Sequence, residues 1–505
     1  MRGVVRFYNA GAKNRDHGRL NALPQTWNFD ATLPSNRNHE RTILRITQGL
    51  GVVSPLKFSP KAGTRAENRP WDGGPSRFLR HSSRIVAPGG ERTRTQRDAP
   101  GRRWRLSGPL NGIKVVDASA IVSGPLATMM LADQGADVIK LEPIEVGDTL
   151  RLSPFSRGGL TSFYANCNRN KRAIAVDLTQ EEGLEIARRL IAEADVFVQN
   201  WRPGAADRLG LGEEALRAIN PNLIYCSISG YGPDGPYSQR RVYDPIIQGL
   251  SGHVAVQLNP EVPIPDLVRN IVADKSSAYT AAQAITAALF ARERGAGGQH
   301  IDIPMIDASL AFFWPDGMLA HTFAGEDKPS GLTLYQIYRL SKTSDGHLIY
   351  FAATDSEMHG LFRALGHPEW IEDPRFGAAA SRSDIENATA LGEKIETAML
   401  AETTEVLLAR MLEEDVPVGP VLDLDQLFTD PQLGHNNSIL EFEHPTAGRY
   451  HQARPAARFS ETAQNPKRRM PPLHGEHTEE VLGELGYRQS DLDRLKANST
   501  ILIPD

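Results

Sequence analysis

The sequence predicts an α/β protein with a doubly wound, mostly parallel sheet in a large domain and a smaller α/β domain after it. Three observations carry this. A chain of 505 residues that is 40% apolar can bury large cores, and its length suits two to three domains. From Leu106 onward, short apolar runs alternate with helical stretches at the spacing of βαβ units. Around Lys328–Leu340 that rhythm loosens, which marks a change of domain.

The elements follow in order. Ile113–Ser119 (IKVVDAS) is a strand ending at a turn, and GPLATMMLADQGA reads as a helix with Pro125 at its first position and Gly135 near its end. Asp137–Glu142 (DVIKLE) is the second strand, closing one βαβ unit. RAIAVDLT, QEEGLEIARRLIAEA and DVFVQN repeat strand, helix and strand; two short helices around PGAADRLG and GEEALRAI lead to the strand LIYCSISG. A long alanine-rich helix opens at VADKSSAYTAAQA, and GQHIDIPMIDASLAFF gives one more strand and helix. YQIYRLSKTSDGHLIYFAA is hairpin-like, helices then run to EDVPVGPVLDLDQLF, and GEHTEEVLGELGY reads as a capped helix. The expected organisation is a leader at 1–105, a large domain at 106–325, a small domain at 326–440, and a segment at 441–505 that returns to the large domain.

Charge is unevenly spread. Residues 1–108 hold 21 Lys and Arg against 7 Asp and Glu, whereas the remainder holds 35 against 54. An acidic body argues against nucleic acid as a partner, since phosphate binding needs clustered positive surface. No run of about 18 apolar residues is present to cross a membrane. The leader lacks periodicity and is rich in Arg, Gly, Pro and Ser, so it reads as disordered. It fits a transit segment, a nucleic-acid-binding arm, or upstream sequence included by a misplaced start. Its three lysines among 21 cations favour the last. Two cysteines without metal-ligand spacing suit a reduced, cytoplasmic compartment, or a mitochondrial one if residues 1–105 are a transit segment.

Several clusters could carry chemistry. The GxGxxG dinucleotide fingerprint is missing where the first strand ends in SAIVSGPLA, which disfavours NAD and FAD. No metal site is expected, and neither a P-loop nor HExxH is present. Arg169, Lys171 and Arg172 in NCNRNKR could hold a phosphate or carboxylate, or form a solvated basic loop. Cys167 lacks a nearby histidine in sequence to activate it. The stretch QNWRPGAADRLG leaves the carboxyl end of a strand, where open α/β sheets bind ligands, and offers Asn200, Trp201, Arg202 and Arg208 to an adenine-plus-phosphate ligand. Tyr243 and Asp244 cap and pack the following helix on a local reading. Asp274 stands at the start of the alanine-rich helix. Local rules make it an N-cap, yet a carboxylate with one free oxygen there is also a competent nucleophile toward an activated acyl group.

Taken together, LNGIKVVDAS…GPLATMMLADQGADVIKLE, NCNRNKRAIAVDL, ADVFVQNWRPGAADRLG and the Asp274 helix followed by RGAGGQHIDIPMIDASL resemble the class III CoA-transferases. The resemblance runs from about Leu106 to Leu495 and leaves the leader uncovered. It implies an interlocked homodimer, each chain with a Rossmann-like large domain and a small domain. It places the nucleophile on Asp274, and coenzyme A contacts on Val122 and Ser123, on Val176, Asp177, Leu178 and Thr179, on Asn200, Trp201 and Arg208, and on Arg241, Val242 and Tyr243. Coenzyme A is then substrate and product, with no tightly bound cofactor, and the partners are an acyl-CoA and a carboxylic acid.

The implied reaction moves CoA between acids through an aspartyl anhydride and an aspartyl-CoA thioester. Two departures bear on it. Pro143 replaces a basic residue often found past the second strand, and Ser330-Gly331 is the nearest counterpart of a glycine run that closes over the anhydride in formyl-CoA transferase. Racemases of the same fold need a histidine where this chain has Tyr243, and a tyrosine with a pKa near ~10 is a poor base at neutral pH. The alternatives are such a racemase or epimerase, or a catalytically silent CoA-binding protein.

Overall fold

The computed structural model describes residues 108–257, 265–325, 331, 333–338 and 340–504. The expectations for residues 1–105 and for Ser330 lie outside them. Six parallel strands form the centre: β1 (Lys114–Asp117), β2 (Asp137–Glu142), β3 (Lys171–Val176), β4 (Val196–Gln199), β5 (Ile224–Ser229) and β6 (His300–Pro304). Their order is β3-β2-β1-β4-β5-β6, so the direction of winding reverses between β1 and β4. This is the order of a doubly wound sheet, in which each right-handed crossover places its helix on one face or the other.

Both faces are covered, and the strand composition explains why. Val115, Val138, Val196, Val198, Ile224 and Cys226 point into one apolar core, beneath the helices Ser123–Asp133 and Val272–Ala291. Val116, Ile139, Ile174, Phe197 and Tyr225 point into the other, beneath helices Glu181–Ala192 and Glu213–Ile219. Successive strand residues alternate between these cores, as the pleat requires. Ala127 and Leu131 of the first helix meet Ala278, Ala281 and Ala282 of the alanine-rich one. Small side chains there let the two helices run close together.

A seventh strand, Ile501–Leu502, pairs antiparallel with the free edge of β3. Helices Thr478–Glu484 and Gln489–Ala497 lead to it and bury Val481, Leu482, Leu492 and Leu495 in the second core. The chain therefore returns to its own first sheet. The helix Thr478–Glu484 departs from expectation in one respect: its N-cap, His477, makes no side-chain cap. The helix Ser123–Asp133 starts two residues before Pro125, which still lies in the first turn, where its missing N–H costs nothing.

A three-stranded antiparallel sheet (Ser341–Lys342, His347–Tyr350, Val418–Pro420) contains the expected hairpin. It carries its own apolar cluster, including Leu348, Leu361, Phe362, Trp370, Met399 and Met411. A further antiparallel pair, Ile439–His444 with Gly448–Ala453, was not foreseen in the sequence.

Candidate active site

Every segment singled out as ligand-contacting leaves the carboxyl end of a strand: residues 120–123 after β1, 177–179 after β3, 200–208 after β4 and 230–243 after β5. The first and third meet where the winding reverses. Asn200 accepts from the Ala120 N–H (2.9 Å) and donates to the Ala120 carbonyl (2.7 Å), bridging the ends of β1 and β4. Its amide thus shapes the turn at 119–123. Trp201 is half-buried, edge-on to Phe197, with its backbone N–H donated to Gln199 Oε1. Val122 and Ser123 are buried at the start of their helix, and Val176 is buried at the end of β3. Asp177 accepts from Thr179 (N–H 2.9 Å, Oγ1 2.7 Å) and from Gln180, which fixes that strand end, while Leu178 packs on the second core. Arg208, Arg241 and Tyr243 are exposed, and Val242 packs against the first core. Among the described residues, Arg202, Arg208 and Arg241 have no carboxylate within ion-pair distance.

The turn itself is strained and held from several sides. Ile121 has φ +68°, a left-handed conformation that a β-branched residue adopts at a cost of roughly 1–2 kcal/mol. Asp148 accepts its N–H (3.0 Å), and Lys140 donates to the Ser119 carbonyl (2.8 Å). Below, the wholly buried Asp117 accepts from the Ser119 N–H and hydroxyl, from Thr128 (2.7 Å) and from Lys171 (2.8 Å). Burial alone would raise the Asp117 pKa, but Lys140 and Lys171 outweigh it and hold it far below the usual carboxylate range. Burial pushes Lys171 down to about 8, against the pull of Asp117. The chain approaches itself closely here: a Cβ on Gly124 would overlap Ser119.

Asp274 is the third residue of the helix Val272–Ala291, and it does not cap that helix. The local reading fails because another carboxylate does so. Asp244, buried at the start of the helix Asp244–Leu250, accepts the N–H groups of Ala273 (2.8 Å) and Asp274 (3.0 Å) through Oδ2. Asp244 makes no side-chain cap of its own helix, whose N-cap is Tyr243; it caps the neighbouring helix instead. Neither carboxylate oxygen of Asp274 has a hydrogen-bond partner among the described residues. Burial, and after it the charge of Asp244, pushes its pKa up to about 7. Ile271, just ahead of the helix, packs in one apolar cluster with Ile121 and Val122. The start of the Asp274 helix and the strained turn thus share one apolar cluster.

Residues 110–478 match the pattern of CoA-transferase family III. The chain belongs to that family. It is 34% identical over 388 residues to the succinyl-CoA:glutarate CoA-transferase of Homo sapiens, covering 75% of this chain and 86% of that one. It is 31% identical over 432 residues to the formyl-CoA:oxalate CoA-transferase of Escherichia coli O6:H1, covering 78% and 100%. Among solved structures, a CAIB/BAIF family protein from Brucella suis superposes with a TM-score of 0.65 at 33% identity, covering 75% of this chain and all of that one.

One sequence reading changes in this CoA-transferase. Arg169, Lys171 and Arg172 are neither an anion site nor a solvated loop. All three are buried: Arg169 pairs with Asp133 (2.7 Å), Lys171 with Asp117, and Arg172 with Asp137 (2.6 Å), Glu480 and Glu484. Cys167 is buried too, and burial pushes its thiol up to about 12, so it is no thiolate near neutral pH. Sequence reasoning passed over Asp117, Lys140 and Asp148. For Asp117 and Lys140 the available signal was a charge inside an otherwise apolar strand, as in VVD and VIKLE; Asp148 lies in the loop after β2 and has no such signal. No described helix is long and apolar enough to cross a membrane.

Proposed function

We propose that this CoA-transferase moves CoA from an acyl-CoA to a carboxylic acid, with Asp274 as the nucleophile. One observation carries the reading: a largely buried carboxylate at a helix start, both oxygens without a hydrogen-bond partner among the described residues, whose helix start shares an apolar cluster with the turn after β1 that Asn200 ties to the end of β4. An Asp274 oxygen attacks the thioester carbonyl, the C–S bond breaks, and CoA leaves as thiolate, giving a mixed anhydride. The thiolate attacks the aspartyl carbonyl, releasing the donor acid and leaving an aspartyl-CoA thioester. The acceptor carboxylate then displaces the thiolate to form a second anhydride. The thiolate attacks its acyl carbonyl and frees Asp274. Each step is an acyl transfer, so no electrons change hands.

Arg202, Arg208 and Arg241, exposed and without a carboxylate partner among the described residues, support a phosphate-bearing ligand along the carboxyl edge, with Trp201 beside it and residues 122–123 and 176–179 flanking it. Glutarate and oxalate, named for the two relatives, are both dicarboxylates, and we extend that class to the acceptor of this enzyme. A homodimer is supported by large apolar side chains at the surface, among them Phe155, Tyr279, Phe290, Phe312, Trp314 and Phe323. Tyr243, exposed where a racemase needs a histidine, weighs against proton transfer at the α-carbon.

The test is incubation with a panel of acyl-CoAs and dicarboxylates, followed by hydroxylamine trapping and mass spectrometry of the peptide holding Asp274. Turnover is expected together with a hydroxamate at Asp274. Turnover of a good substrate with Asp274 unmodified would sink the reading.

A further inference from the structure

Helix Val272–Ala291 begins with N–H groups that need acceptors, and the usual acceptor is the side chain just before the first turn. In this helix that position is Ile271, which has none to offer. The acceptor comes from another helix. Asp244 Oδ2 takes the N–H of both Ala273 and Asp274. Its other oxygen accepts from Gln248 Nε2 at 2.5 Å. Gln248 in turn accepts the Val268 N–H (2.9 Å) and donates to the Val268 carbonyl (3.2 Å). A continuous chain of hydrogen bonds therefore runs from the segment leading into the helix, through Gln248 and Asp244, to the backbone of Asp274 itself.

This arrangement resolves a conflict built into the position of Asp274. An aspartate in the first turn of a helix is drawn to the free N–H groups there, and a carboxylate so engaged is a weaker nucleophile. With those groups taken by Asp244, the side chain of Asp274 has nothing local to bind. We propose that Asp244 is the positioning residue of the reaction: it caps the helix from outside, and so leaves both oxygens of Asp274 free and aimed at the thioester. The inference rests on Asp274 being the nucleophile.

Asp244 also sits as a negative neighbour in a poorly solvated place, which favours the proton on Asp274. Buried His253, just past the helix Asp244–Leu250, feels the charge of Asp244, but burial lowers its pKa all the same. The other titratable groups come from the elements packed around this site. Cys167, from the helix Ser162–Asn168, senses Asp274 but is held as a thiol by burial. Helix Ser123–Asp133, packed alongside, brings Asp133, which is paired with Arg169. Strands β5 and β6 bring Cys226, a buried thiol, and Asp302, which faces His300 and Asp307; the helix Met305–Gly317 adds Asp307 and Asp316.

The experiment compares wild type with Asp244→Asn, Asp244→Ala and Gln248→Met in the full-length protein. It measures kcat, KM for acyl-CoA, their pH profiles, and the yield of trapped Asp274. Asn keeps an acceptor for the helix but removes the charge, so the acid limb of kcat/KM is expected to move down by about one pH unit. Ala removes the cap and frees the N–H groups to bind Asp274, so kcat falls by about 100-fold with KM nearly unchanged. Gln248→Met leaves the cap in place and loosens its support; kcat falls about tenfold, and this variant stands in if Asp244→Ala does not fold. A purely structural Asp244 would lower the folded fraction and leave the acid limb unmoved. An unmoved limb in Asp244→Asn, with wild-type kcat in the folded fraction of the others, overturns the proposal while trapped Asp274 keeps the nucleophile. No trapped Asp274 in wild type overturns the nucleophile instead.

Discussion

A carboxylate with no hydrogen-bond donor among the described residues, set near a second carboxylate and largely buried, keeps its proton to unusually high pH. For Asp274 the consequence is a pKa of about 7 in place of 3.8. Two outcomes follow from the sign of that shift. Turnover needs the anion, so kcat/KM at saturating acceptor should rise with pH through about 7 and level off above it. Stability runs the other way. Between pH 3.8 and 7 the folded protein binds more protons at this site than the unfolded chain does, so its stability falls as pH rises across that window. Asp274→Asn removes the penalty. The variant should be inactive and, at pH 8, more stable than wild type by about 1–2 kcal/mol, within a ceiling of about 4 kcal/mol set by the shift. Below pH 4 the difference should vanish. Denaturant melts of both proteins at pH 4 and pH 8 check this, and an equal gap at the two pH values refutes the burial argument.

At the scale of elements, the turn 119–123 is held by side chains from β1, β2, the loop after β2 and the residue just past β4. The ties are unequal. Asn200→Ala removes both bonds to Ala120 on a partly exposed turn; it should raise KM for acyl-CoA several-fold and cost about 1 kcal/mol of stability. Lys171→Met is a different matter, because it removes one of the two buried cations of Asp117, whose side chain is 0% exposed, and leaves Lys140 at 3.8 Å as the other. Breaking a fully buried pair from one side costs about 3–5 kcal/mol when the remaining charge has no other partner. With Lys140 still beside Asp117, the loss should be smaller than that but larger than for Asn200→Ala. Thermal melts and CoA-binding titrations of the two variants would separate stability from binding. The strands around this turn were legible because continuous apolar runs punctuated by turns are a local signal. The turn was not. Asp148 acts across 27 residues and Asn200 across 80, and no local pattern joins them to Ala120 or Ile121. The same holds for Asp274: its place at a helix start was readable, whereas its cap comes from a residue 30 positions earlier. The basic run Arg169–Arg172 was misread for a related reason. Its partners Asp133, Asp117, Asp137, Glu480 and Glu484 are scattered along the chain, and a run of cations looks solvated until they are placed.

At the scale of the whole molecule, the chain closes on itself, and two kinds of contact could hold the closure. Arg172 links β3 to Glu480 and Glu484 of the returning segment, while Leu482, Leu492, Leu495 and Ile501 enter the second core. Exposure decides between them. Arg172 is buried, but Glu480 and Glu484 keep 47% and 55% of their side-chain surface in water, so losing the arginine leaves both able to solvate. Such pairs contribute about 0–1 kcal/mol. Leu482 is wholly buried against the sheet, and truncating a leucine of that kind costs about 2–5 kcal/mol through lost burial and the cavity left behind. The segment is therefore held by apolar contact, with the ion pairs fixing its register on β3. Arg172→Met should leave the C-terminal helices protected from limited proteolysis and shift the urea midpoint only slightly. Leu482→Ala should expose the same helices to cleavage first and lower the midpoint clearly. High salt should leave wild-type protection unchanged, since screening weakens the ion pairs and not the core. If instead Arg172→Met releases the segment and Leu482→Ala does not, the closure is electrostatic and the apolar contacts are the minor partner.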